Sequence, residues 1–540
     1  MKTAPSRSAQ IERRPRRQAA VATAATALVL VAVGVLGTFG HRGWGQVPFS
    51  VPSIPWYFSW PYYVFPVPGF DARWGFAALL AACAAAATVL ALARAPALLP
   101  ILRRRVPRLP RPVWLAMALL LAFVLDLAVA AIRGGPAAWA EPISHPGEYA
   151  PAAGLVGPIP DFLRHFAERA PLIGGFVAQH PPGAVIFYSL VARVCSGLAA
   201  CALATVACAC LGLLVTAALA RDELHGRDDD GDGEGPGGSG GMVPRPEGPR
   251  ADSMVAAGPP DATALAVAFW VLCPAVILYS ATSADAMWAP LLAGAALASH
   301  RGLLRRSLRW TLAGGALLWL ASMATYAAVL VVPFLLVRAL AVARSEGNQH
   351  QDQDQDQVEA ERGEAGDGVR GGWPRAWPWA WPWAARWAAL TAATVLALVA
   401  LLRLLTGYDV LAVTRAVAAY WSTAPGGGAR DPVPWLFGAP VAFLAMLGFP
   451  LAAALLAAWW RAIRQHAWGS FEVAFLACVI VGVAWGHSKG EVERMWSFLL
   501  PFAVVIATRQ LARWRANPTV VAALLLGQTL AVETLFYTRW

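Results

Sequence analysis

At 540 residues, 58% hydrophobic and 14% charged, with a mean hydropathy of +0.52, the chain is too apolar for a soluble globule, whose charged fraction is about 25%. Its net charge of +11 comes from short Arg blocks between apolar runs, where it sets topology and meets anionic lipid rather than nucleic acid. The seven cysteines sit in or beside apolar runs with no histidine pairs opposite them, so they read as small core residues and not as disulfides or metal ligands.

Apolar runs of roughly 17 to 25 residues, the length a bilayer demands of a helix, predict an all-α polytopic membrane protein with about 13 transmembrane helices. In chain order, a basic tail (1–18) holding Arg13, Arg14, Arg16 and Arg17 leads into a first helix at 19–38, uncleaved because no small-residue cleavage site follows. An aromatic loop (39–74) and helices at 75–95 and 113–132 come next, then a long loop (133–198) and a helix at 199–220. The segment 221–261, with Asp228-Asp229-Asp230 and a Gly-rich run, is too polar to bury a core and reads as a disordered linker. Helices at 262–281, 285–300, 309–324 and 326–343 lead to a second insert, 345–385, an Asp-Gln tract followed by a Trp/Pro repeat suited to the membrane interface. The last spans are 386–404, 436–460, 470–486, 496–511 and 518–535.

Arg-rich segments stay cytoplasmic. The N-terminus, Arg94–Arg111, Arg301–Arg309, Arg461–Arg464 and Arg509–Arg515 all fall on one side if the spans alternate. The N-terminus is then cytoplasmic and the C-terminus outside. The outer face holds the loops 39–74, 133–198, 282–284, 405–435 and 487–495 and a turn near 325, and the chemistry is expected there.

Residues 133–182 are long for a mere connection. Asp161–Ala170 reads as one amphipathic helix on the membrane surface, with Phe162, Leu163 and Phe166 on its apolar side. His180-Pro181-Pro182-Gly183 forms a rigid turn, and Ala184–Val194 a membrane-dipping helix too short to span. Glu148 is the leading general base, its alternative being a solvated loop carboxylate that caps the Tyr149 turn. Asp161 is the second candidate base or an N-cap. Asp126, inside the third helix, is costly at that depth unless it faces protein or water; it is catalytic or paired with a neighbouring helix. Asp285 opens a helix after Ser283, either as a cap or as a site residue. The loop 487–495 concentrates His487, Lys489, Glu491, Glu493 and Arg494; Lys489 and Arg494 could clamp a lipid phosphate, or the group could be a solvated salt-bridged loop. A metal held by His145, His165 and His180 is a minor alternative, and no metal or other cofactor is expected.

Glu148-Tyr149, a surface helix, then His180-Pro181-Pro182-Gly183 and an apolar half-helix resemble the first large outer loop of the GT-C glycosyltransferases, particularly the protein mannosyltransferase and aminoarabinose transferase branch. Ser283-Ala284-Asp285 and Gly490-Glu491-Val492-Glu493-Arg494 look like positions in actinobacterial integral membrane proteins related to that superfamily. The resemblance covers most of the chain from about residue 113. The chain departs from it in two helices before the loop-bearing one and in Gly147-Glu148 where an acidic pair is usual.

The resemblance implies transfer of a sugar from a polyprenyl-phosphate donor to an envelope acceptor, a glycan, lipid or protein, on the outer face of the plasma membrane. Glu148, Asp161 and Asp126 are then the candidates for the base, and Tyr149, His180, Asp285, Lys489, Glu491, Glu493 and Arg494 the binding residues. The partners are membrane lipid and the lipid-linked sugar. The rival readings are a multi-span transporter or flippase, against which no internal repeat is found, and a noncatalytic envelope-assembly protein.

Overall fold

The computed structural model describes residues 7–40, 64–65, 71, 73–98, 111–225, 261–281, 283–345, 383–423, 433–485, 492–535 and 537–538. Among them regular structure is helical, apart from a two-residue antiparallel bridge of Val64–Phe65 with Tyr537–Thr538. Among the described residues five helices are long and apolar enough to cross a membrane: Gly75–Ala93, Pro112–Ala130, Leu198–Leu224, Tyr326–Ser345 and Trp383–Thr406. The pair Ala262–Val271 and Pro274–Ser280, a broken span or a re-entrant loop, is bent by 47°, because Pro274 has no N–H to continue the ladder and its ring crowds the preceding turn. Shorter apolar helices include Trp435–Leu447, Phe471–Ala484 and Pro518–Thr534. The protein is an all-α, multi-pass membrane protein.

Several expected elements differ in detail. The span at 436–460 is interrupted at Gly448 (φ +96), where a Cβ would stand 2.2 Å from Leu525 Cδ2, leaving helices Val433–Leu447 and Phe449–Arg464. The loop at 405–435 contains a helix, Val410–Thr423, started by Asp409, whose Oδ1 accepts from the amides of Leu411 and Ala412. The first insert begins later than expected, since Gly212–His225 is helical and Asp222 and Glu223 are held by Arg301, Arg305 and His300. Residues 226–260 and 346–382, most of both inserts, lie outside the described residues.

Helix Ala284–Leu304 has 21 residues, about 30 Å at 1.5 Å per residue, and so separates two ends of the bundle. At one end three of the five Arg-rich segments gather as expected: Arg301 and Arg305 on Asp222, Arg509 on Glu472, and Arg461 on Gln510. At the other, which we call the loop end, segments distant in sequence meet. Gly183 N–H donates to Met323 O at 2.7 Å, Arg164 reaches Thr406 O, and Arg133 binds Glu533 through both its carboxylate and its carbonyl.

The loop end has a core of its own, built from Ile143, Tyr149, Phe162, Phe166, Tyr188 and Trp288 among others. Burying each such side chain contributes about 1.5–3 kcal/mol. The expected single surface helix is two, Ile159–Arg164 and Phe166–Ile173, hinged at His165 (φ −104, ψ 13). Its apolar side, Phe162, Leu163, Phe166 and Ala170, is the one predicted, but it is buried in this protein core. Helix Gly183–Val194 follows, ending at Cys195.

Candidate functional site

The site is built around a clasp in the long loop. Gly147 (φ +97) and Gly175 (φ +58) lie in the left-handed region, and Phe176 N–H donates to Gly147 O at 2.8 Å. A Cβ on Gly175 would sit 2.3 Å from Gly147 O, so only glycine permits this approach. The clasp sets Glu148 and Tyr149 beside Phe176, with ring centroids 6.1 Å apart for the aromatic pair.

Glu148 precedes helix Tyr149–Ala152 but makes no side-chain cap bond. It is only 6% exposed, so it is neither a capping residue nor a solvated loop carboxylate. The His180 ring packs edge-on to Tyr149 at 6.0 Å and tilted to Phe176 at 6.3 Å. The rest of the tetrapeptide fixes that ring: Pro181 and Pro182 are buried, and Gly183 lies so close to the Met323 backbone that a Cβ would come within 2.5 Å of its carbonyl oxygen.

The start of helix Ala284–Leu304 closes the opposite side. Ser283, not Asp285, is the cap: its Oγ accepts from Asp285 N–H at 3.1 Å and donates to Asp285 Oδ2 at 3.2 Å. Arg494, from the short helix Val492–Met495, donates through Nη1 to Ser283 Oγ at 3.2 Å and lies 3.3 Å from Asp285 Oδ2. Its guanidinium carbon stands 5.7 Å from the Phe176 ring centroid, within cation–π range.

Three charges from separate segments therefore act on one phenol. Burial pushes the Tyr149 hydroxyl well above the usual tyrosine range; Asp285 and then Glu148 add to the shift, and Arg494 opposes it. Tyr149 thus remains protonated within the field of two carboxylates and a guanidinium.

Other candidates are not brought here. Asp161 is 46% exposed and holds Arg169 at 2.8 Å and His165 at 3.1 Å; the hydrogen bond from Arg169 keeps its carboxyl below the usual carboxylate range. It is neither the N-cap, which is Pro158, nor among the charges acting on Tyr149. Asp126 is fully buried in the bundle, with Cys210 Sγ 3.7 Å from its Oδ2, and takes no part in the cluster around Tyr149 either. Lys489 and Glu491 lie outside the described residues, as does the Glu493 side chain. His145 is exposed and His165 is engaged with Asp161; among the described residues no group of three His, Cys, Asp or Glu side chains could hold a metal.

Two contributors went unread in the sequence. Phe176 joins Tyr149, His180 and Arg494, and Gly175 makes the clasp; the doubled glycine Gly174-Gly175 just before an aromatic residue was the signal available.

No family model matches the sequence, and no curated protein matches it. Among solved structures, the chain is similar to an archaeal oligosaccharyltransferase, AglB from Archaeoglobus fulgidus, in complex with an inhibitory peptide and a dolichol-phosphate. The TM-score is 0.37 and the identity 12%, over 78% of this chain and 56% of that one. This chain spans a little over half the length of that protein, and a likeness so distant bears on neither fold nor activity.

Proposed function

We propose that the chain is a GT-C-type membrane glycosyltransferase that moves a sugar from a polyprenyl-phosphate donor to an envelope acceptor on the outer face of a bacterial plasma membrane. The observation that carries this reading is the convergence of Glu148, Asp285 and Arg494 on Tyr149 at the loop end of the bundle. The resemblance of Glu148-Tyr149 and His180-Pro181-Pro182-Gly183 to GT-C outer loops supports it. So does the gathering of Arg-rich segments at the opposite end, since such segments favour the cytoplasmic side and an outer site fits that preference.

Glu148 takes the proton from the acceptor hydroxyl or amine as that atom bonds to the anomeric carbon. The bond from that carbon to the phosphate oxygen breaks, and the electron pair leaves with the polyprenyl phosphate, whose charge Arg494 meets. The rings of Tyr149, Phe176 and His180 give the sugar an apolar wall. The test is transfer of labelled sugar from a polyprenyl-phosphate sugar by purified protein in lipid vesicles, with Glu148→Gln lowering the rate roughly 10²- to 10⁴-fold. Undiminished transfer by that variant would remove Glu148 as the base.

One observation favours a second reading. The 47° break at Cys273–Pro274 is of the kind found in transporters. A flippase would move a fluorescent lipid-linked sugar across protein-loaded vesicles without transferring it.

A further inference from the structure

The turn His180-Pro181-Pro182-Gly183 also borders a second cavity at the loop end. Pro181 lines it, and so does Met323, whose carbonyl accepts from Gly183 N–H. The cavity measures about 340 Å³ including its open mouth, at the small end of the roughly 300–1,000 Å³ of small-molecule sites. Three of its walls are the rings of Trp319, Tyr326 and Tyr408, and no charged residue lines it.

The polar tips of these rings are poorly served. Trp319 Nε1 is buried and makes no hydrogen bond, and an indole N–H can only donate. Tyr408 is 3% exposed, and the hydrogen bond it makes is through its backbone N–H, to Thr406 Oγ1 at 3.2 Å. The preceding turn puts it there: Gly407 lies in the left-handed region (φ +78) and its N–H closes on Arg403 O at 2.8 Å. Burial, then Tyr326 and Asp409, hold the Tyr408 phenol above the usual tyrosine range, so it keeps its proton. The charges of the flanking turn pair locally, Arg403 with Asp409 at 3.1 Å and Arg164 with Thr406 O.

Buried indole and phenol groups ordinarily find a partner. The group that fits here is uncharged, offers oxygen acceptors to two donors, and has an apolar face to lie on aromatic rings. A phosphate or a carboxylate would meet no cation among the lining residues. We propose that this cavity holds one neutral sugar unit of the acceptor, which makes the acceptor a glycan. This rests on the reading of the chain as a glycosyltransferase. One rigid turn then serves both substrates: His180 packs against Tyr149 and Phe176, while Pro181 borders the acceptor unit and fixes it relative to Glu148.

The test uses the full chain labelled with 5-fluorotryptophan in lipid nanodiscs, the Trp319 signal being the one that Trp319→Phe removes. The probes are the methyl pyranosides of mannose, glucose, galactose and arabinose, with glycerol and the acidic methyl glucuronide as controls. At tens of millimolar at least one neutral pyranoside shifts the Trp319 fluorine, and the controls do not. Tyr408→Phe, which keeps the ring and loses the hydroxyl, weakens that binding about fivefold, while Glu148→Gln binds as the wild type does. No Trp319 shift with any of the four overturns the sugar site whether or not the Phe variant folds, and so does an affinity unchanged in Tyr408→Phe. Transfer of labelled sugar by the wild type leaves the transferase reading standing in either case. Pyranoside binding at Trp319 without such transfer overturns the transferase reading and keeps the cavity as a sugar site. An equal shift with methyl glucuronide overturns the neutral occupant, and one with glycerol overturns a ring-sized one.

Discussion

Gly175→Ala strikes the clasp that places Glu148. The added Cβ would lie 2.3 Å from Gly147 O and 2.4 Å from Gly147 Cα, both backbone atoms that cannot rotate aside. Three costs follow. Holding an alanine at the φ of +58 found here costs about 1 kcal/mol, relieving the overlap about 1–3 kcal/mol, and losing the Phe176 N–H to Gly147 O bond about 1 kcal/mol. Their sum, roughly 3–5 kcal/mol, exceeds what a local segment of a loop can absorb closed, so the clasp opens. Hydrogen exchange on the intact protein should show the Phe176 amide losing roughly a hundredfold or more of its protection, while amides of helix Ala284–Leu304 keep theirs. Transfer activity should fall with it, because Tyr149 and Phe176 part. Unchanged protection at Phe176 together with full activity would refute the reasoning.

Other expectations are independent of it. Gly183→Ala, whose Cβ would come 2.5 Å from Met323 O, should destabilise by roughly 2–4 kcal/mol, read as a lower Tm by intrinsic tryptophan fluorescence. Arg133→Ala leaves Glu533, which it meets at 3.2 Å, buried without its cation. The loss should be about 3 kcal/mol, partly recovered by adding Glu533→Gln, and an unaltered melt would count against it. Asp161→Asn should keep full transfer, and a large loss of rate would return Asp161 to the site. The Asp161 carboxyl is held below its ordinary value of 3.8, so its ion pairs stabilise the loop above that value and fail as pH falls through the lower folded one. Protection factors at 159–173, corrected for intrinsic exchange, should therefore fall on acidification below about pH 4, and pH-independent protection there would contradict the pairing.

The parts of this protein that were legible in the sequence are those where composition alone decides. Long apolar runs leave the backbone no partner but itself, so helices such as Gly75–Leu98 and Trp383–Thr406 were expected within a few residues. Arg placement predicted that 301–309, 461–464 and 509–515 would share an end, and Arg301, Arg461 and Arg509 do lie at one end of the bundle. Most of what was missed depends on contacts between segments. The apolar side of 159–173 was read correctly as a stripe, yet whether it meets lipid or protein depends on Tyr149, Tyr188 and Trp288 arriving beneath it. The break at Gly448 pairs a left-handed glycine with Pro450 in the first turn of the next helix, a local signal that the length of the apolar run masked. Asp161 looked like a base because its partner Arg169 lies on the next helix, beyond a hinge at His165 that helical periodicity does not reveal.

The pairing of Ser283 with Arg494 joins residues 211 positions apart, and this bears on how the protein is made. At roughly 5–20 residues per second, some 10 to 40 s of translation separate the two ends of that contact. Throughout that interval the long loop and Asp285 are already synthesised and Arg494 is not. A ribosome-bound chain stalled before residue 494 therefore lacks the guanidinium that Ser283 and Asp285 meet at the loop end, and that contact closes only after the segments between them have been inserted.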